Sequence, residues 1–218
     1  MKKLCAFALG LAAFGSVLAD DLAATVKVGT LGAGLEVVKG LSPNFNGRFG
    51  ANAFNLKRGL TESDIRYDAE LDFRTFSAML DWHPGGGAFR ATVGAVRNGN
   101  KLTLTAKPTQ AIVIGNQTFQ PSDVGQLDGR VEFESFSPYL GIGWGNAVDK
   151  AKTWGFSLDI GVMAQSPSAS LTAQCKSSVT QVCAELSKAA EAERKDLQDA
   201  LKDFKVYPVI AFGLTYRF

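Results

Sequence analysis

Apolar side chains recur at every second position in seven stretches of this chain, the period of a β-strand with two unlike faces. At the carboxyl end Pro208, Ile210, Phe212, Leu214, Tyr216 and Phe218 alternate with Val209, Ala211, Gly213, Thr215 and Arg217. Upstream, Trp154, Phe156, Leu158, Ile160 and Val162 alternate with Gly155, Ser157, Asp159, Gly161 and Met163. Phe136, Leu140, Ile142 and Trp144 alternate with Ser137, Tyr139, Gly141 and Gly143. The same rhythm runs through Phe89–Ala95, Phe76–Trp82, Phe45–Ala53 and Leu31–Val37. Each stretch is long enough to cross a bilayer at a tilt.

The connections are sorted by length. Short ones follow Val38 (Leu41 to Asn44), Trp82 (His83 to Gly87) and Trp144 (Asn146 to Lys152). Long ones cover about 56–66, 98–128 and 166–204. Outer-membrane barrels have short periplasmic turns, longer external loops and both termini in the periplasm. With a last strand running inward, the three short turns fall on the periplasmic side and the three long loops outside. Seven strands break that parity. Residues 21–28, where Leu22, Ala24, Val26 and Val28 alternate with Ala23, Thr25 and Lys27, supply an eighth, with a turn at Gly29-Thr30. Lys101–Thr105 and Ala111–Ile114 read as an external extension of a hairpin. Residues 176–204 change period: Val179, Cys183, Leu186, Ala190, Leu197, Leu201 and Phe204 recur at helical spacing. They predict an amphipathic helix in the last long loop, with Glu191 and Lys195 paired four apart.

The amino end assigns a compartment. Lys2 and Lys3 precede an Ala- and Leu-rich run that ends in Val17-Leu18-Ala19 before Asp20 and Asp21. That is the layout of a secretory signal peptide, residues 1–19, removed after Ala19. Cys5 lies before the apolar run, too early to be a lipoprotein attachment site. The run is shorter than the ~20 residues of a spanning helix, and no later stretch is long enough either. A net charge of +2 is too small to argue for nucleic acid, while 23 Gly and 15 Phe stand out. Cys175 and Cys183 remain after processing; an oxidising periplasm favours a disulfide between them, with two free thiols on adjacent helical turns as the alternative.

The ending Gly213-Leu214-Thr215-Tyr216-Arg217-Phe218 resembles the last strand of bacterial outer-membrane barrels. The resemblance implies that Phe212, Leu214, Tyr216 and Phe218 form the signal read by the barrel-assembly machinery. Alternation, loop asymmetry and this ending together make residues 20–218 similar to small barrels of the OmpA/OmpX/OmpW-like superfamily. The implied fold is all-β: an antiparallel up-and-down transmembrane barrel of eight strands, located in the outer membrane. Outer-membrane lipid, lipopolysaccharide, periplasmic chaperones and the assembly machinery are its expected partners. The likeness is architectural, and no functional residue of a particular family carries over.

Chemistry is sparse. Arg48, Asp81, Arg90, Asp159 and Arg217 fall on the inward face, with Glu70, Asp72, Arg74, Glu132 and Glu134 nearer the external rim. Both signs are present, so mutual pairing is expected inside a barrel too narrow for much water. Trp82, Trp144 and Trp154 gather at one level, the periplasmic aromatic girdle. The single histidine, His83, lies in a periplasmic turn, on the wrong side for a hydrolase facing the outer leaflet. No metal, nucleotide or cofactor motif occurs. The expected function is non-enzymatic: envelope integrity or surface interaction through the external loops. A small-solute channel, a barrel enzyme acting on lipid and a soluble lipocalin-like barrel are the alternatives.

Overall fold

The computed structural model describes residues 21–62 and 65–218. The leader assigned to residues 1–19, with Cys5, lies outside them. In chain order the strands are β1 (Leu22–Gly29), β2 (Gly32–Ser42), β3 (Phe45–Glu62), β4 (Ile65–Trp82), β5 (Phe89–Asn98), β6 (Lys101–Lys107), β7 (Ile112–Ile114), β8 (Gln117–Phe119), β9 (Val124–Phe133), β10 (Phe136–Trp144), β11 (Trp154–Ala164), β12 (Pro167–Cys175) and β13 (Val206–Arg217). Helix α1 (Thr180–Ala200) and a 3-10 turn (Leu201–Asp203) precede β13.

Eight antiparallel strands close a barrel in the order β1, β2, β3, β4, β5, β10, β11, β13. The seam is sealed by β13 against β1, with Thr25 opposite Thr215 and their hydroxyls 2.8 Å apart in the interior. The eighth strand expected over residues 21–28 is therefore the one that completes the ring. Leu31, expected on the outer face, is instead buried. It sits in the two-residue turn before β2 rather than in the strand, so the alternation does not govern where it points.

Five of these strands do not stop at the barrel rim. β5 and β6 pair with β4 in one unbroken register: Trp82 faces Ala91, Phe76 faces Arg97, and Asp72 faces Lys101. β10 and β9 continue each other in the same way, Phe136 opposite Arg97 and Glu132 opposite Lys101. β12 prolongs β11 and pairs with β9. The upper parts of β3 and β4 with β6, β9 and β12 thus stand beyond the barrel as a five-stranded sheet. Much of what the sequence presented as long loops, 56–66, 98–128 and 166–204, is sheet.

The reason is visible in the side chains. Along the barrel the outward positions are the apolar ones: Phe49, Phe76, Leu140, Phe156 and Phe212 are exposed, Phe156 by 82%. Beyond Ala53, Phe76, Arg97, Phe136 and Ala164 the phase inverts. The strands keep their register, so the inward positions now carry Leu71, Leu102, Ala106, Leu127, Val131 and Leu171. Outward stand Asp72, Lys101, Thr103, Arg130, Glu132 and Ser170. A reading that follows one apolar phase ends each strand where the phase changes.

Helix α1 lies against the inward face of this extension. Leu186, Ala189 and Ala190 are buried with Ala106, Ile114, Phe119, Val124 and Leu127 in a core separate from the barrel interior. Val179, Leu197 and Phe204, expected on the buried face, are exposed. Val179 precedes the helix, and near its other end Gln198 makes the contact with the sheet. Its amide accepts from Ala169 N at 2.8 Å and donates to Pro167 O at 3.0 Å, covering the edge of β12. Glu191 pairs with Arg194 at 2.8 Å rather than with Lys195, three residues along instead of four. Cys175 and Cys183 are joined, tying the end of β12 to the first turn of α1.

Candidate functional site

The interior is the first place to look for chemistry, and alternation decides what enters it. With odd positions of β1, β5's even positions and so on turned inward, six ionised side chains from six strands meet at mid-barrel. Arg48 lies 3.2 Å from Glu36, 2.7 Å from Asp81 and 3.3 Å from Asp159. Arg90 lies 2.6 Å from Asp159 and 3.6 Å from Asp81, and also donates to Gly145 O. Lys27 lies 2.9 Å from Asp159 and 3.2 Å from Glu36. Thr92 donates to Asp81 at 2.7 Å. Three cations face three carboxylates, so the cluster is neutral and each charge has at least two opposite neighbours. Such pairing is what lets ionised groups persist away from water.

The structure brings Arg48, Asp81, Arg90 and Asp159 together, and adds Lys27 and Glu36, which sequence reasoning did not single out. Both stood on the inward phase of their strands, and that parity was the available signal. Arg217 is not in the cluster. It lies half exposed at the short-turn end, donating to Lys150 O and Lys152 O. Glu70, Asp72, Arg74, Glu132 and Glu134 are not rim residues of the lumen either. They share the outward phase of β4 and β9–β10, where Lys57 pairs with Glu70, Arg74 with Asp72 and Lys101 with Glu132. The inversion of apolar phase is what misplaces them in a sequence reading.

The lumen is closed at three levels. Glu36 and Arg48 line both a cavity of about 40 Å3 above them and one of about 10 Å3 below. The larger has space for about three waters at ~10–15 Å3 each. Above it Leu31, Val96, Tyr139, Met163 and Val209 form a buried apolar layer. At the short-turn end the loop after β10 folds inward, Val148 packing on Ala23 and Val38. Its first residue, Gly145, has φ +108°, and a Cβ there would strike Phe156 O, so the inward bend requires glycine.

His83 is part of that floor rather than an exposed turn residue. Its ring is buried, with Nε2 3.0 Å from Asn46 Nδ2 and Nδ1 3.0 Å from Gly87 O. An amide nitrogen can only donate, so Nε2 accepts and Nδ1–H donates to Gly87 O: the neutral tautomer. Burial pushes the imidazole below its usual pKa. Neither ring nitrogen touches a hydroxyl or a thiol, which removes the arrangement a serine-type hydrolase needs. No group of three or more His, Cys, Asp or Glu side chains that could hold a metal ion occurs among the described residues.

The outer face carries its own pattern. Phe45 faces Trp82, Phe89 faces Trp144, and Trp154 faces Tyr216 across their ladders. Phe89 and Trp144 rings are 5.7 Å apart, Trp154 and Tyr216 4.9 Å, and Tyr216 and Phe218 5.3 Å. The three tryptophans thus belong to one belt of exposed rings at the short-turn end. Leu214 and Phe212 continue it up β13, both exposed.

No family model matches the chain, and no curated protein does. Solved structures do. The crystal structure of Acinetobacter baumannii CarO2 superposes with a TM-score of 0.58 at 18% identity, covering 90% of this chain and 98% of that one. That of Acinetobacter baumannii CarO gives 0.53 at 21% identity, covering 90% and 97%. At such identities what is shared is the fold: this chain is a closed eight-stranded antiparallel β-barrel with a helix near its carboxyl end, similar to CarO2 and CarO over nearly their whole length.

Proposed function

We propose that this chain is a non-enzymatic β-barrel of a Gram-negative outer membrane, closed along its axis, that meets other molecules through the lobe formed by the extended sheet and α1. The observation that carries the reading is the inversion of apolar phase along continuous strands. Water on the outside and a packed interior call for apolar residues inward along the whole strand. Only a solvent that changes from hydrocarbon to water part-way up rewards outward apolar residues below and inward ones above. The dimensions agree. From Val206 to Phe218, β13 presents apolar side chains over ~40 Å of strand at ~3.4 Å per residue. At a tilt of ~40° that covers ~30 Å, the thickness of a hydrocarbon core.

The filled interior argues for surface contact rather than conduction. Cell fractionation tests the membrane assignment: the protein is expected in the outer-membrane fraction and to change gel mobility on boiling. Recovery in the soluble periplasmic extract without detergent would remove it. Planar-bilayer recording tests the closed axis, with no steady conductance expected from the wild-type barrel. A reproducible single-channel step would make it a small-solute channel instead.

A further inference from the structure

The upper half of the apolar belt holds a cation that the barrel itself does not neutralise. Arg97 is on the outward phase of β5, in line with Phe76 on β4 and Phe136 on β10. Those two rings are exposed by 60% and 67%. Arg97 is itself exposed and makes no ion pair among the described residues. Every outward position from Phe76 down β4, from Ala95 down β5 and from Phe136 down β10 is an uncharged aromatic or aliphatic residue. One row higher on β4 stands Arg74, opposite Gly99, whose amide donates to Arg74 O at 2.8 Å. Arg74 and Arg97 are therefore diagonal neighbours on the same face, within reach of long side chains. Arg74 is held by Asp72 at 3.3 Å, which leaves Arg97 uncompensated. Glu134, diagonal to Arg97 on the opposite flank, makes no ion pair with it among the described residues.

Resting on the membrane reading above, we propose that Arg97 and Arg74 bind a phosphate of an outer-leaflet glycolipid whose acyl chains lie on Phe76, Val93, Phe136 and Leu140. A guanidinium in a row of lipid-facing rings must extend toward the headgroups to keep its charge solvated. Its fork geometry matches phosphate oxygens, and a second guanidinium beside it makes a clamp. An inorganic phosphate satisfies the cations but not the rings. A neutral lipid satisfies the rings but not the cations. A phosphorylated lipid satisfies both.

The test uses the mature barrel folded into phosphatidylcholine vesicles, with lipid A added in its bis-phosphorylated or its dephosphorylated form and binding read by quenching from a labelled lipid. The wild type is expected to prefer the phosphorylated form. Arg97→Gln and Arg74→Gln should each weaken that preference about fivefold, and Arg97→Lys should restore most of it. Lys57→Gln, on the lobe with its own acidic partner, should leave it unchanged. Equal binding of both lipid A forms, or full preference in the Arg97→Gln, Arg74→Gln double variant, would overturn the proposal. Competition by millimolar inorganic phosphate alone would overturn it too, by showing a site for the free ion. A wild type that fails to enter plain phosphatidylcholine vesicles would instead overturn the membrane reading on which it rests.

Discussion

Asp159 is the residue on which most of the interior depends. Lys27, Arg48 and Arg90 all lie within 3.3 Å of it. Replacing it with alanine leaves three buried cations sharing two carboxylates, and the expected loss is about 3–5 kcal/mol. Urea unfolding of the barrel in detergent micelles reads this. Glu70→Ala is the control: its partner Lys57 is 68% exposed, so water screens the pair and the loss should be far smaller than that of Asp159→Ala. His83 sets a different dependence. Its folded pKa lies below that of the unfolded chain, so on acidification the unfolded state takes up the proton first. The stability tied to neutral His83 is complete above about pH 6.5. It is lost as pH falls through that value toward the lower folded pKa. The wild type should therefore lose unfolding midpoint between pH 7.5 and 5 relative to His83→Gln. Equal slopes in the two proteins would contradict the buried neutral ring. The inward position of Asp159 follows from alternation, but its partners do not: Lys27, Arg48 and Arg90 come from three strands whose closeness only closure creates.

Among the elements, α1 was legible from its period, yet its seat was not. The disulfide and Gln198 hold it at both ends of β12, and Gly115 lets the β7–β8 turn approach it. Gly115 has φ +52°, and a Cβ there would strike the Ala189 carbonyl. The bridge between Cys175 and Cys183 spans eight positions. In the chain-entropy view, closing so short a loop contributes about 2–3 kcal/mol. Reduction should thus loosen the lobe without opening the barrel. Limited proteolysis is expected to cut within 176–204 after reduction while the boiled and unboiled forms still migrate apart. Simultaneous loss of both would mean that lobe and barrel unfold as one unit. Helical spacing could not reveal that Leu197 and Phe204 stay exposed, because it does not say which side of the helix meets the sheet, and beside Leu197 it is Gln198 that makes that contact.

For the whole molecule, the two-solvent pattern makes a directional prediction. Leu140 on the outer face of β10 is 63% exposed. Leu140→Arg should cost about 2–4 kcal/mol, as a charge near mid-bilayer does. Thr103→Arg, on the outward face of β6 beyond the inversion, should be close to neutral. Folding into phosphatidylcholine vesicles followed by denaturant titration distinguishes them; equal effects would mean that both faces meet the same medium. On the membrane reading, the same pattern suits the lobe to the aqueous side of the barrel. Its inward leucines and valines gain α1 as cover, and its outward charges are paired across strands in water.

Local alternation by itself determined the strand set of the barrel, its inward and outward faces, the aromatic belt and the presence of one helix. Those properties depend on period two, period 3.6 and the kind of residue, all written along the chain. The tertiary structure decided what depends on closure and on the surrounding medium. It joined β1 to β13, gathered Lys27 and Glu36 with four predicted charges, and turned Leu31 and His83 inward. It also carried five strands past the rim with their apolar phase reversed. A phase reversal looks like the end of a strand until the register shows the backbone running on, because only the neighbouring strands reveal which side of the sheet has become the inside.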